Sequence, residues 1–282
     1  MNWTPLDWSQ VDQIIENALR EDVGRGDITT NLLFPEGVRC KAVILAKEEG
    51  ILAGLPIAER VFRKLDKNIV WDEKKKDGEK IEPNQILAEI SGSQRAILTG
   101  ERLGLNFLQR LSGIATLTSK FVRAVEGLSV KILDTRKTAP GLRILDKYAV
   151  SVGGGTNHRF GLYDGVLIKD NHIKFAGGIS RAVRLIRERA PKGIKIEVEA
   201  STLDEVKEAL EAGADIIMVD NMTVENIKKA VELINGRAII EASGGVTLEN
   251  IRRIAETGVN SISVGSLTHS PRALDIALYM VS

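Results

Sequence analysis

Two of the three histidines in the 282 residues fall in one stretch, GGGTNHRFGLYDGVLIKDNH, between Gly153 and His172. His158 and Arg159 precede the apolar run GVLI, and Lys169 and Asp170 follow it. A lysine emerging from the end of a buried strand serves as a Schiff-base nucleophile or as a fixed charge for an anion. A structural ion pair with Asp170 would account for it as well. The glycines ahead of His158 let the backbone approach a ligand closely. No strand–glycine–helix arrangement surrounds them, so they are not a dinucleotide fingerprint. Upstream, ILDTRKTAPGLR sets Asp134, Arg136, Lys137 and Arg143 just after another apolar strand. Arginine presents a planar fork matched to carboxylate or phosphate, and lysine a mobile point charge.

The later strands complete the inventory. In IEVEA the period of two puts Glu197 and Glu199 on one strand face, and IIMVDN ends its strand with Asp220. Carboxylates at adjacent strand ends, opposite a cationic cluster, can share a magnesium ion or hold sugar hydroxyls. They could also do no more than neutralise the lysines and arginines. EASGGVT and SVGSLTHS finish their strands in small residues that expose backbone N–H groups, and each leads toward a helix. That is the phosphate-binding arrangement expected after the last strands of an α/β barrel. Together these groups describe a sugar-phosphate donor meeting an acidic acceptor.

The elements that must position them follow from periodicity. After residue 128, short β-branched runs (VKILDT, GVLIKD, KIEVEA, IIMVD, AIIEAS, SISVGS) alternate with helical stretches, the last of them PRALDIALYM. This alternation implies βαβ units and a parallel sheet. Polar groups at the C-terminal ends of many successive strands favour a barrel, with six clear strands and hence an incomplete one. The first part of the chain is mixed. VDQIIENALRED reads as an amphipathic helix capped by Asp7 or Ser9, and LPIAERVFRKL as a second helix. CKAVILAKEEG, IVWDEKKKDGEK and QILAEISGS read as strands, with DEKKKDGEK as a solvated hairpin tip. A long helical pattern from Arg95 to Val125 links the two regions, and Gly113 is expected to break or bend it.

Composition narrows the partners. Lys+Arg total 39 against 38 Asp+Glu, a net charge of +1, so nothing favours nucleic acid. One cysteine, Cys40, excludes an intrachain disulfide and a cysteine-based zinc site, and reads as a small residue beside a strand. The first residues lack the basic and apolar regions of a signal peptide, and no apolar run approaches the roughly 18 residues of a membrane span. A soluble, cytoplasmic protein without membrane or nucleic-acid partners is the expectation.

The segment ILDTRKTAPGLRILDKYAVSVGGGTNHRFGLYDGVLIKDNH resembles the quinolinate phosphoribosyltransferases. REDVGRGDITT, ERLGLNFLQRLSGIAT, IEVEA, IMVDN and EASGGV extend the resemblance over essentially the whole length. It implies an α/β fold: an N-terminal α/β sandwich-like domain over 1–112, joined by a C-terminal helix over 271–282, and an incomplete TIM-like barrel over 113–270. It also implies phosphoribosyl transfer from phosphoribosyl pyrophosphate to the ring nitrogen of quinolinate, with loss of carbon dioxide and Mg²⁺ as cofactor. A homodimer, or a hexamer of three dimers, would place Arg102 in the partner's site. Arg136, His158, Arg159 and Lys169 would bind the two quinolinate carboxylates, with Lys137 between acceptor and donor. Glu199 and Asp220 would hold the ribose hydroxyls and the magnesium. Ser243, Gly244, Gly245, Gly265 and Ser266 would take the phosphate, with Thr135 and Val264 completing the substrate contacts. Lys137, Lys169, Glu199 and Asp220 are the expected catalytic groups, and His172 a supporting residue. The residues alone leave open a Schiff-base lyase using Lys169, a molybdenum-transport-associated relative, or a non-catalytic phosphate-ligand sensor.

Overall fold

The computed structural model describes residues 4–191 and 193–281. In chain order its elements begin with α1 (Trp8–Val23), α2 (Ile28–Leu33), β1 (Arg39–Ala46), β2 (Gly50–Ile51), α3 (Leu55–Leu65) and β3 (Val70–Glu73). Next come β4 (Lys80–Ile81), β5 (Ile86–Ser93), α4 (Gln94–Ala124), β6 (Lys131–Leu133), α5 (Arg143–Val152) and β7 (Val166–Ile168). They continue with α6 (Asp170–Ala176), α7 (Ile179–Arg189), β8 (Ile196–Ala200), α8 (Leu203–Glu211), β9 (Ile216–Asp220) and α9 (Val224–Ile234). The last are β10 (Ile239–Ser243), α10 (Ile251–Ala255), β11 (Ser261–Ser263), α11 (Ser266–His269) and β12 (Ile276–Val281).

Two compact units emerge from the packing: 1–119 with 138–154 and 266–282, and 120–137 with 155–265. The first is built on an antiparallel sheet in the order β12-β1-β5-β3. Its core gathers Ile44, Leu52, Leu55, Phe62, Leu87, Ile97 and Leu108, with Leu274 and Ile276. The segment expected as a C-terminal helix is, over its second half, the strand β12. It runs antiparallel to β1 from Lys41↔Val281 to Ala46↔Ile276. Ile276 and Leu278 are buried on the sheet face, so period two and the open edge of β1 prevail over helix propensity. The hairpin expected at DEKKKDGEK is also absent, because β3 pairs with β5 while β4 pairs with β2. Asp77 in that run is 7 % exposed. It accepts the Gly54 and Leu55 backbone N–H groups (2.7 and 3.0 Å) and the Tyr148 hydroxyl (2.8 Å), which satisfies the start of α3. Nor does Gly113 interrupt α4, which is continuous for 31 residues. A Cβ there would stand 2.1 Å from the Arg272 carbonyl oxygen, so the glycine answers a close approach of backbone.

The second unit is a six-stranded parallel sheet in the order β6-β11-β10-β9-β8-β7, the incomplete barrel expected from the alternation. A single bridge, Leu133↔Thr156, extends it beyond β6. Registers such as Glu241↔Met218 and Glu199↔Met218 bring inward-facing residues of successive strands to one level. Helices α8 and α9 start from Thr202 and Thr223, whose side-chain oxygens accept the Glu205 and Asn226 N–H groups. The parallel order delivers the last residue of every strand to one end of the barrel.

Candidate active site

At that end lies a cavity of about 510 Å³, and the expected strand-end residues converge on it. It begins with the loop after β6. Asp134, fully buried, accepts the Asn157 side-chain amide (2.6 Å) and the His158 backbone N–H (2.8 Å), tying the loop before β7 to the end of β6. Asp134 is thus consumed in structure. Thr135 turns the next residues by accepting the Lys137 N–H through its hydroxyl (3.0 Å). Thr135, Arg136 and Lys137 all line the cavity.

Arg159 faces them. Its Nη1 donates to the Gly165 carbonyl (2.9 Å), which fixes the guanidinium. Burial, and after it the charge of Arg136, push the Arg159 guanidinium below its ordinary value. Two arginines close enough to repel, one of them partly buried, create a site whose field favours an anion. Arginine stays protonated under such shifts, so the pair is a fixed dication for carboxylate recognition.

Across the cavity, Lys169 Nζ donates to Glu199 Oε2 at 3.1 Å. The ion partner of this lysine is therefore Glu199, and not the adjacent Asp170. The Lys169 backbone N–H donates to His172 Nδ1 (3.0 Å), a cap for α6, which accounts for His172 as support. Asp220 ends β9, and its Oδ2 accepts the Asn221 side-chain amide (2.7 Å). Asn221 has φ +53° and donates its backbone N–H to the Ser243 carbonyl (2.9 Å). Gly244 and Gly245 follow with φ +86° and +59°. A Cβ on Gly244 would meet Asn221 Oδ1 at 2.3 Å, so only glycine fits. Consecutive backbone turns of this kind form a concavity of N–H groups suited to phosphate oxygens. The helix expected directly behind the glycines begins only at Ile251, so the donors are those of the turn itself.

Not every expected residue lines this cavity. Val264 is 2 % exposed and donates its N–H to the Leu133 carbonyl, which is a sheet role. Neither Gly265 nor Ser266 is among the lining residues, and Ser266 opens α11 in the first unit. Arg102 lies exposed on α4, also in the first unit. Conversely, Asn221, Met218, Glu241 and Ser263 line the cavity without having been singled out. The signal for Glu241 was present: it has the inward parity of Ser243 within the apolar strand AIIEAS.

Glu241 belongs to a buried cluster. His158 Nε2 lies 3.2 Å from Glu197 Oε2 and 3.6 Å from Glu241 Oε1. Burial first, then the charge of Glu197, push Glu241 up to about 7. One nitrogen and two carboxylate oxygens, all within 4.8 Å, have the outline of a metal centre. The donor set does not suit one. His158 Nδ1 accepts the Arg159 N–H (2.7 Å), so the ring proton sits on Nε2, the atom a metal would need. Glu199 and Asp220 suit magnesium better, since Mg²⁺ takes one or two carboxylates and completes its shell with water and substrate oxygens.

Residues 27–112 match the model of the quinolinate phosphoribosyl transferase N-terminal domain, and residues 114–279 that of its C-terminal domain. The chain is 47 % identical over 269 residues to a probable nicotinate-nucleotide pyrophosphorylase (carboxylating) of Bacillus subtilis, covering 95 % of this chain and 93 % of that one. A chloroplastic nicotinate-nucleotide pyrophosphorylase (carboxylating) of Arabidopsis thaliana is 47 % identical over 94 % of this chain and 81 % of its own. Among solved structures, NadC from Streptococcus pyogenes superposes with a TM-score of 0.94 at 43 % identity, covering 99 % of this chain and 100 % of that one. A Pyrococcus furiosus nicotinate-nucleotide pyrophosphorylase shares the fold alone, with a TM-score of 0.69 at 16 % identity. With both domain models matched and this identity along nearly its full length, the chain belongs to the quinolinate phosphoribosyl transferase family.

Proposed function

We infer that the chain transfers the phosphoribosyl group of phosphoribosyl pyrophosphate to the ring nitrogen of quinolinate, releasing pyrophosphate and carbon dioxide and forming nicotinate mononucleotide for NAD biosynthesis. The observation that carries this reading is one cavity lined by Arg136, Lys137, Arg159 and Lys169 together with Glu199, Asp220 and a Gly-Gly turn. Arg136 and Arg159 bind the ring carboxylates as planar forks, and Lys169, held by Glu199, adds a third cation. For His158 to join them, its Nε2–H must turn from Glu197 and Glu241 toward the acceptor. Lys137 stands between acceptor and donor. Ser243, Gly244 and Gly245 hold the phosphate, and Glu199 and Asp220 orient the ribose hydroxyls.

Pyrophosphate leaves the anomeric carbon through an oxocarbenium-like state as the ring nitrogen attacks. Catalysis is then chiefly positioning and stabilisation of leaving charge. Magnesium, held by Glu199 and Asp220, supplies charge neutralisation for that leaving group when bound. Once ribosylated, the positive ring nitrogen stabilises the electron pair left on the adjacent carbon when its carboxylate departs as carbon dioxide. The active unit is proposed to be a cytoplasmic homodimer, or a hexamer of such dimers, in which Arg102 of one subunit reaches the acceptor site of the other. No described helix is long and apolar enough to cross a membrane.

Incubation with quinolinate, phosphoribosyl pyrophosphate and Mg²⁺ should consume quinolinate and release pyrophosphate and carbon dioxide in equal amounts. Nicotinate, with one carboxylate, should turn over poorly. Efficient use of nicotinate would reject the assignment of a two-carboxylate acceptor.

A further inference from the structure

Residues 157–165, ahead of β7, form neither helix nor strand, yet they carry His158 and Arg159. Side-chain acceptors give this segment its shape. Asp134 takes the His158 N–H, and Asp164 takes those of Phe160 and Gly161 (2.6 and 3.1 Å). A further anchor comes from inside the barrel. His158 Nε2 stands 3.2 Å from Glu197 Oε2, and its Nδ1 accepts the Arg159 N–H, so the ring is held at both nitrogens. Arg159 in turn donates Nη1 to the Gly165 carbonyl. One path of contacts therefore runs from the barrel interior, through an imidazole, to a guanidinium that lines the catalytic cavity.

The two acids at the inner end of this path are 4 % and 3 % exposed, and Oε1 of each is sealed from solvent. No ligand reaches those atoms, so Glu197 and Glu241 act only through their neighbours. As packing they are a poor choice, since apolar residues of similar volume are often neutral or stabilising in place of buried charged groups. Burial and Glu197 hold Glu241 up at about 7, against the pull of His158, Ser263 and Ser261. Near neutrality the pair therefore opposes Arg136 and Arg159 with less than two full charges, and the cavity keeps its preference for an anion.

We propose that Glu197 and Glu241 are positioning residues for acceptor binding: behind the cavity they clamp the His158 ring, and through its bond to the Arg159 backbone they set where that guanidinium stands. Glu197 accepts the Nε2–H, and Glu241 flanks the same nitrogen at 3.6 Å. A planar fork reads a carboxylate by direction as well as by charge, so a shift of about 1 Å in Arg159 is costly. The role in acceptor binding rests on the quinolinate reading, whereas the clamp on the ring does not.

Initial rates, urea unfolding and histidine NMR on the full chain test this role. Glu197→Met keeps the volume and removes the acceptor. It should raise KM for quinolinate at least about tenfold, move KM for phosphoribosyl pyrophosphate less than about twofold, and leave the urea midpoint no lower than that of the parent. Glu241→Met, at the longer distance, should raise the quinolinate KM about threefold. Glu197→Gln keeps an oxygen for the Nε2–H and should recover most of what Glu197→Met loses. With three histidines in the chain, the imidazole nitrogen signals are assignable, and His158 should be protonated at Nε2 alone in the parent. Protonation at Nδ1 there would overturn the proposal without any variant. An unchanged quinolinate KM in Glu197→Met would overturn it, as would a Glu197→Gln chain no better than Glu197→Met. A rise in both KM values with a lower urea midpoint would also overturn it, as the mark of a merely structural acid. If the parent does not consume quinolinate, the functional reading fails, and the NMR signals still decide whether the ring is clamped.

Discussion

Glu241 places a buried carboxyl in the barrel interior, and its chemistry sets a pH dependence. Burial and Glu197 raise it from an ordinary 4.5 to about 7. The folded chain therefore holds a proton that the unfolded chain releases between those values. Its contribution to stability is full below about 4.5, declines as pH rises toward 7, and is constant above. The span corresponds to a loss on the order of 3 kcal/mol. Glu241→Gln should remove that loss, so urea unfolding at pH 5 and pH 8 should differ less for the variant than for the parent. An unchanged difference would mean that the carboxyl titrates normally. At Arg159 the issue is shape, because the guanidinium is already held by Gly165. Arg159→Lys should raise KM for quinolinate by roughly one to two orders of magnitude, while KM for phosphoribosyl pyrophosphate moves little in initial-rate measurements. At this scale the sequence was informative wherever a strand ended. Lys169, Glu199, Asp220 and Ser243 were legible because parallel βα units deliver such residues to one place. Glu197 and Glu241 sit two residues deeper, and their meaning depends on closure of the strands around an interior that no single segment reveals.

Among elements, local preference lost to neighbours in a consistent way. PRALDIALYM is rich in good helix formers, yet residues 276–281 take the open edge of β1. Gly113 reads as a helix breaker, yet α4 runs through it because the glycine admits the Arg272 carbonyl. Gly113→Ala, which in an exposed helix would stabilise by up to about 1 kcal/mol, should instead lower the melting temperature. Asp77 makes the same point for loops. It sits in a run of charges that looks solvated, but it is buried beneath α3, and burial pushes its carboxyl up despite three donors. Asp77→Ala should cost about 2–3 kcal/mol in chemical unfolding, since it strands two backbone N–H groups and a tyrosine hydroxyl. A neutral effect would show that water replaces the carboxylate.

For the molecule as a whole, the arithmetic of strands and helices was readable: six β-branched runs gave six parallel strands. The packing of residues 138–154 was not, since they lie between two barrel strands and yet group with the first unit. There Asp146, fully buried, accepts both Nε and Nη2 of Arg110 (2.9 and 2.8 Å) and so ties α5 to α4. Side-chain networks of that kind have no periodic signature. The proposed shared site yields a prediction at this scale. Arg102→Ala and Lys169→Ala chains should each be inactive, and mixed dimers should regain part of the activity, with one intact site per dimer. Heterodimers that form but stay inactive would place Arg102 outside the partner's site.

The pairing of β12 with β1 also has a consequence in time. Lys41 waits for Val281, made 240 residues later. At about 5–20 residues per second, synthesis separates the two by on the order of 10–50 s. During that interval the edge of β1 that β12 will cover stands bare, while the six barrel strands, pairing only among residues 131–263, have all been made before β12 is added. A nascent chain is therefore most exposed to strand-to-strand aggregation through the part it makes first.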